Sequence, residues 1–168
     1  MKYKLHKLDV QTNASISIAM QQFAKTHYQY FKMEGNKIPD FSFIDLNGKI
    51  YNPETTKGKV VVLKCWFIRC SMCINEIPKL NKVVKKYQNN KDIVFLSLAY
   101  DEEEELKQFL MKTKFDYVVS AIPEQYFDEK IKIIAYPTHI IVSKTGIISK
   151  VNNNADEIIG ALEEELLK

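Results

Sequence analysis

Val60-Val61-Val62-Leu63-Lys64-Cys65-Trp66-Phe67 runs directly into Ile68-Arg69-Cys70-Ser71-Met72-Cys73. Ile74, Ile77, Leu80, Val84 and Tyr87 then recur at helical spacing. The first stretch is nearly continuous in apolar, largely β-branched residues, as in a central strand buried on both faces. The second predicts a helix over residues 71–88. A strand therefore feeds a helix, and a Cys-x-x-Cys pair sits at the junction. Cys70 falls near the helix N-cap and Cys73 in the first turn. Unpaired N–H groups and the positive end of the helix dipole favour a thiolate there. Such placement lowers a thiol pKa to about 3.5–7.5 from about 8.5.

Further along, Ile93 to Leu98 reads as another apolar strand and Asp101 to Met111 as a helix with carboxylates at its start. Tyr117 to Ser120 is a short strand and Gln125 to Ile131 a short helix. Thr138 to Val142 and Ile147 to Val151 form a hairpin about Ser143-Lys144-Thr145-Gly146, and Asp156 to Leu167 is a closing amphipathic helix. Upstream, Phe41, Phe43 and Leu46 lead into Asn47-Gly48, a hairpin turn signal, with Ile50 and Tyr51 beyond. From Ser15 to Glu34 the pattern is helical. Ile16, Met20, Phe23, His27, Tyr30 and Phe31 share one face, and Gly35 is a C-cap. Tyr3 and Leu5 alternate with lysines, a weak strand signal. This order describes an α/β fold, a mixed sheet covered by helices on both faces.

The chain has 168 residues, long enough for a core without disulfide staples. Hydrophobic residues make up 46% and charged residues 27%, which excludes collagen-like and disordered classes. No apolar run reaches the length of a membrane span. The 24 basic and 21 acidic residues are well mixed, too weak a balance to argue for nucleic acid or anionic membranes. No signal segment or lipid-anchor cysteine stands near Met1, so either the protein is cytoplasmic or a leader has been removed.

Three cysteines are too few for a disulfide scaffold. Cys70 and Cys73 are close enough to bridge and so to cycle between dithiol and disulfide. The exposed thiolate of Cys70 attacks and makes a mixed disulfide, which Cys73 resolves. The competing readings are half of a zinc site or an inert surface disulfide. A zinc site needs two further ligands, and Cys65, His6, His27 and His139 form no second paired motif. No metal is therefore expected.

Several motifs in the same order carry a resemblance. They are Pro39-Asp40-Phe41, Asp45-Leu46-Asn47-Gly48-Lys49, Lys57-Gly58-Lys59 with the strand behind it, Trp66-Phe67-Ile68-Arg69-Cys70, Glu76-Ile77-Pro78 and Tyr136-Pro137-Thr138. Together they resemble the thioredoxin-like superfamily, and within it the extracytoplasmic thiol-disulfide reductases of the TlpA and ResA type. The resemblance covers about residues 38–151 plus the closing helix. It implies a three-layer thioredoxin-like fold with an N-terminal β-hairpin, preceded here by an extra helix. It divides the chain into an extension over 1–37 and a domain over 38–168, and makes 115–131 the insertion typical of these reductases.

The resemblance also implies roles. Pro137 would be a cis-proline facing the disulfide, and Tyr136 would pair its backbone with the substrate chain. Trp66 would flank the cysteines, with core packing as its alternative. A glutamate at the position of Glu76 lies beneath the redox pair and helps proton transfer to the second thiol. Two positions depart from the pattern. Lys64 stands where thioredoxins carry an acid and the extracytoplasmic relatives often asparagine, and Arg69 replaces the usual aromatic residue before the first cysteine.

Lys64 lies in a strand buried on both faces, where a lone ammonium is costly. Glu76, three residues after Cys73, falls on the side of that cysteine. The two are expected to meet behind the disulfide, unless the lysine stem snorkels past the sheet edge to water. Cys65 reads as a buried free thiol. The carboxylates of Asp101 to Glu105 read as helix-start charges, His27 as packing, and His139 as a strand residue bonded to backbone or water.

The expected function is thiol-disulfide exchange with protein substrates, in the reducing direction, outside the cytoplasm by resemblance. It needs no bound cofactor. Its partners are protein disulfides and a dithiol electron-donor protein, with no nucleic acid, and any membrane attachment would run through a segment absent from this chain. The alternatives are a thiol peroxidase, against which Phe67 stands where a threonine is typical, and a non-catalytic binding module.

Overall fold

The computed structural model describes residues 14–168. Tyr3, Leu5, His6 and the side chain of Ile16 lie outside the described residues. Helix α1 (Ala14–Met33) precedes a two-stranded antiparallel hairpin, β1 (Phe43–Ile44) and β2 (Ile50–Tyr51). The main sheet follows the order β5-β4-β3-β6-β7. β3 (Val60–Trp66) is its centre, parallel to β4 (Ile93–Ala99) and antiparallel to β6 (Thr138–Val142). β5 (Val118–Ala121) and β7 (Ile148–Asn152) flank them. Every residue of β3 is buried, as its β-branched run requires.

Alternate residues of the strands feed two cores. Val60, Val62 and Trp66 pack with α3 (Ile77–Lys86), α4 (Glu103–Lys112) and α6 (Ala155–Leu166). Val61, Leu63 and Cys65 pack on the opposite face with Tyr30 of α1, the hairpin, and the segment Phe127–Ile131. That segment is a single π-helical stretch after the short α5 (Glu124–Tyr126), where a plain short helix is expected from the pattern. The mixed sheet with helices on both faces is as read. Among the described residues no helix is long and apolar enough to cross a membrane.

Two elements differ from the sequence reading. The helix expected over 71–88 is two, α2 (Ser71–Asn75) and α3, broken at Glu76. Pro78 has no N–H for the Ile74 carbonyl, so the ladder lapses and restarts with proline in the first turn. In α1 only part of the expected apolar face is buried. Phe23 is 67% and Phe31 73% exposed, while Tyr30 and Thr26 face the domain. Tyr30 joins the apolar core and its Oη pairs with Thr138 Oγ1 at 2.7 Å.

Candidate active site

β3 carries the chain past Trp66 into a short loop before α2. Ile68 N–H donates to Asp101 Oδ2 at 2.8 Å, and Cys70 N–H to the Phe67 carbonyl at 3.1 Å. Asp101 thus anchors the approach loop. It precedes α4 and is not one of the helix-start charges it resembles in sequence. Burial raises its pKa above the ordinary carboxylate range.

Cys70 is the N-cap of α2, and its Sγ accepts the Cys73 N–H at 3.2 Å. The two cysteines are joined in a disulfide with a Cα–Cα separation of 5.2 Å. Cys70 retains 9% exposure and Cys73 none. An incoming sulfur therefore reaches Cys70 first. Cys65, five residues upstream, points to the other face of β3. Burial pushes its thiol up to about 12.

Trp66 is fully buried. Its Nε1 donates to Ser97 Oγ, and its ring packs on Phe109 and Phe115 at 5.5 and 5.7 Å. The Tyr136-Pro137 bond is cis. Because Cys65 is the Cα partner of Thr138, the loop that leads into β6 lies beside the end of β3 that leads to Cys70. Phe67, Tyr100 and Tyr136 meet there, with ring centroids 4.9 to 5.5 Å apart.

Lys64 has no exposed surface, so its ammonium does not snorkel to water. Its Nζ donates to Glu76 Oε1 and, at 3.1 Å, to the carbonyl of Cys73. The break at Pro78 is what leaves Glu76 at the α2–α3 corner, over the strand. Glu76 has a second neighbour. His139 Nε2 lies 2.9 Å from the same Oε1, outside hydrogen-bond alignment, and Nδ1 has no partner among the described residues. His139 thus has no backbone partner among the described residues, and its nearest polar neighbour is the Glu76 carboxylate. Antiparallel register makes His139 the Cα partner of Lys64, so both side chains share one face.

Burial lowers the Lys64 pKa against the pull of Glu76. Burial alone would raise Glu76, but His139 and Lys64 outweigh it and hold the carboxyl below its ordinary value. Burial likewise lowers His139, with Glu76 opposing. Burial therefore disfavours the charged forms of Lys64 and His139, while the Glu76 carboxylate is favoured between them. The arrangement supports thiol–disulfide exchange: a reachable cysteine at a helix end, a buried second cysteine, and an ion pair bonded to the backbone of that second cysteine.

Comparison with known proteins agrees with this geometry. The family model described as Redoxin matches residues 33–165. A thiol-disulfide oxidoreductase ResA of Bacillus cereus is 30% identical over 156 residues, covering 85% of this chain and 83% of the relative. The thioredoxin-like protein YneN of Bacillus subtilis is 27% identical over 120 residues, 71% of each chain. The thioredoxin domain of a thiol-disulfide oxidoreductase from Bacteroides vulgatus superposes with a TM-score of 0.69 at 25% identity, over 78% of this chain and 96% of that one.

Proposed function

Since the chain belongs to the redoxin family and is a thiol–disulfide oxidoreductase of the ResA type, we propose that it reduces protein disulfides outside the cytoplasm, using Cys70 to attack and Cys73 to resolve. The observation that carries this assignment is the difference in access between the two bonded sulfurs, with the reachable one capping α2.

The Cys70 thiolate attacks one sulfur of the substrate disulfide. A bond forms between Cys70 and that sulfur, and the other substrate sulfur leaves as a thiolate. Cys73 loses its proton and attacks Cys70, which releases the second substrate thiolate and restores the disulfide seen here. A partner dithiol then returns two electrons to the pair. The backbone at Tyr136, ahead of cis-Pro137, would bind the substrate chain in an extended, strand-like way. Trp66 acts as a positioning residue through the packing of β3's end, and Lys64 with Glu76 sets the charge under Cys73. An extracytoplasmic location belongs to the same reading, supported by kinship to ResA. A similar solved protein is a pneumococcal exposed lipoprotein thioredoxin.

Insulin reduction with dithiothreitol as electron donor tests the assignment. The wild type should accelerate insulin precipitation, Cys70→Ser should not, and Cys73→Ser should accumulate a mixed disulfide through Cys70. Activity in Cys70→Ser, or trapping through Cys73 in its place, would reverse the roles. Peroxide consumption should stay at background.

A further inference from the structure

Among the buried titratable side chains that the exchange chemistry leaves without a task, His139 lies nearest the Lys64–Glu76 pair. Ser97 on β4, Lys64 on β3, His139 on β6 and Asn152 on β7 are successive Cα partners across the sheet. They form one polar row, buried throughout, on the face toward α3 and α6. Glu76 stands over its middle, touching Lys64 and lying 2.9 Å from His139. The row's far end reaches solvent, because Asn152 Nδ2 donates to Oε2 of the exposed Glu157 at 2.5 Å.

We propose that His139 is the proton-holding group of the redox pair, taking up a proton when the Cys70–Cys73 disulfide is reduced and releasing it when the disulfide reforms. The inference rests on the exchange reading above and deepens it. On this proposal Lys64 and Glu76 balance one another in the oxidised protein and His139 is neutral. Lys64 donates to the Cys73 carbonyl, so the pair is tied to the backbone of the second cysteine. Reduction creates a thiolate at the pair, and in a low-dielectric site its charge is left unbalanced.

The surrounding groups leave one candidate to answer that charge. Lys64 is already engaged, donating to Glu76 and to the Cys73 carbonyl. The Glu76 carboxyl, with Lys64 bonded to it, is held below its ordinary value. Tyr117, the other group that Glu76 acts on, is neutral and driven further so by burial. Glu157 faces water. His139 alone titrates ordinarily near neutrality, and a new negative charge favours its protonated form. Asn152, next in the row, opens the way to solvent at Glu157.

The balance is complete. A donor dithiol forms its own disulfide as the Cys70–Cys73 bond breaks, passing two electrons and freeing two protons. One proton remains on the reduced cysteine pair and the other goes to His139. Oxidation by a substrate disulfide returns both, one to each substrate sulfur.

The test is the imidazole titration of the wild-type protein by NMR, oxidised and then reduced with dithiothreitol. His139 should titrate at least about one pH unit higher in the reduced protein than in the oxidised one. An identical titration in both states, or none in either, overturns the proposal. The equilibrium with dithiothreitol should also be followed against pH for the wild type and His139→Asn. Between the two His139 titrations their pH dependences should differ by about tenfold per pH unit, the wild type binding the extra proton. Superimposable slopes would equally overturn it. If His139→Asn does not fold, the wild-type titration decides alone. Both measurements use a small dithiol, so failure to reduce insulin would discard the protein-reductase reading and leave the His139 result readable.

Discussion

The two faces of the central sheet are made by the same strands and differ by one residue of offset. On one face Leu63, Cys65, Leu96, Leu98 and Ile140 make an apolar contact layer, broken only by the uncharged hydroxyls of Ser120 and Thr138 among the described strand residues beside them. On the other, Ser97, Lys64, His139 and Asn152 interrupt the apolar packing in a single row. The first face buries no charged side chain of these strands, and its thiol, Cys65, is kept protonated by burial. The second buries Lys64 and His139 at its centre, and there Lys64 donates to the backbone of the second redox cysteine. Local violations of the folding pattern mark the place where stability has been traded for chemistry.

That contrast is open to attack by mutation. Glu76→Gln leaves the Lys64 ammonium buried without its counter-charge and should cost about 3–5 kcal/mol, as does breaking a buried pair. It should also alter the pH profile of disulfide exchange. Leu63→Ala on the apolar face should cost a similar amount, about 2–5 kcal/mol, through the cavity it leaves. Its exchange rate per folded molecule should be unchanged. Urea denaturation with exchange assays on each variant checks the pair. If both variants alter the pH profile alike, the two faces are not functionally distinct.

Acid should act through the polar face. Glu76 and His139 both have folded-state pKa values below their ordinary ones. Each therefore contributes stability that is present above its unfolded pKa and is lost as pH falls through its folded one. Denaturation midpoints should decline on the acid side of about pH 6.5 as His139 is forced to charge. They should fall further below about pH 4.3 as Glu76 is neutralised. His139→Asn should remove the first decline and keep the second.

The cysteines sharpen the comparison at smaller cost. In the reduced protein, brief iodoacetamide treatment should label Cys70 before Cys73, and Cys65 hardly at all, as read by mass spectrometry. Cys65→Ala should lower stability by about 1 kcal/mol and leave exchange intact. The smallest effect belongs outside both faces. Phe23 is exposed on α1, its ring against His27 of the same helix. Phe23→Ser should change the urea midpoint by the equivalent of less than about 0.5 kcal/mol.

Much of this molecule is written in patterns that span only a few residues. The β-branched run of β3, the Asn47-Gly48 turn and the helical spacing after Cys70 each predict an element without reference to the rest. The Cys70–Cys73 pair reads as a redox pair because its two sulfurs are held by one turn of helix. Even the meeting of Lys64 with Glu76 follows from short-range facts, a cation in a buried strand and an acid one turn beyond Cys73. What lies between distant segments does not read this way. His139 is 75 residues from Lys64, and only the antiparallel register of β3 and β6 makes the two neighbours. A slip of one residue would turn His139 to the opposite face. Which part of the apolar face of α1 is buried shows only in the contact of Tyr30 with Thr138, far along the chain. Asp101 looks like one more acid in a run until the fold brings the Ile68 N–H against it. Sequence alone determined the elements and the reactive pair, because those depend on local periodicity. Tertiary structure decided which buried charges surround the pair, because long-range register and packing leave no periodic trace in the chain.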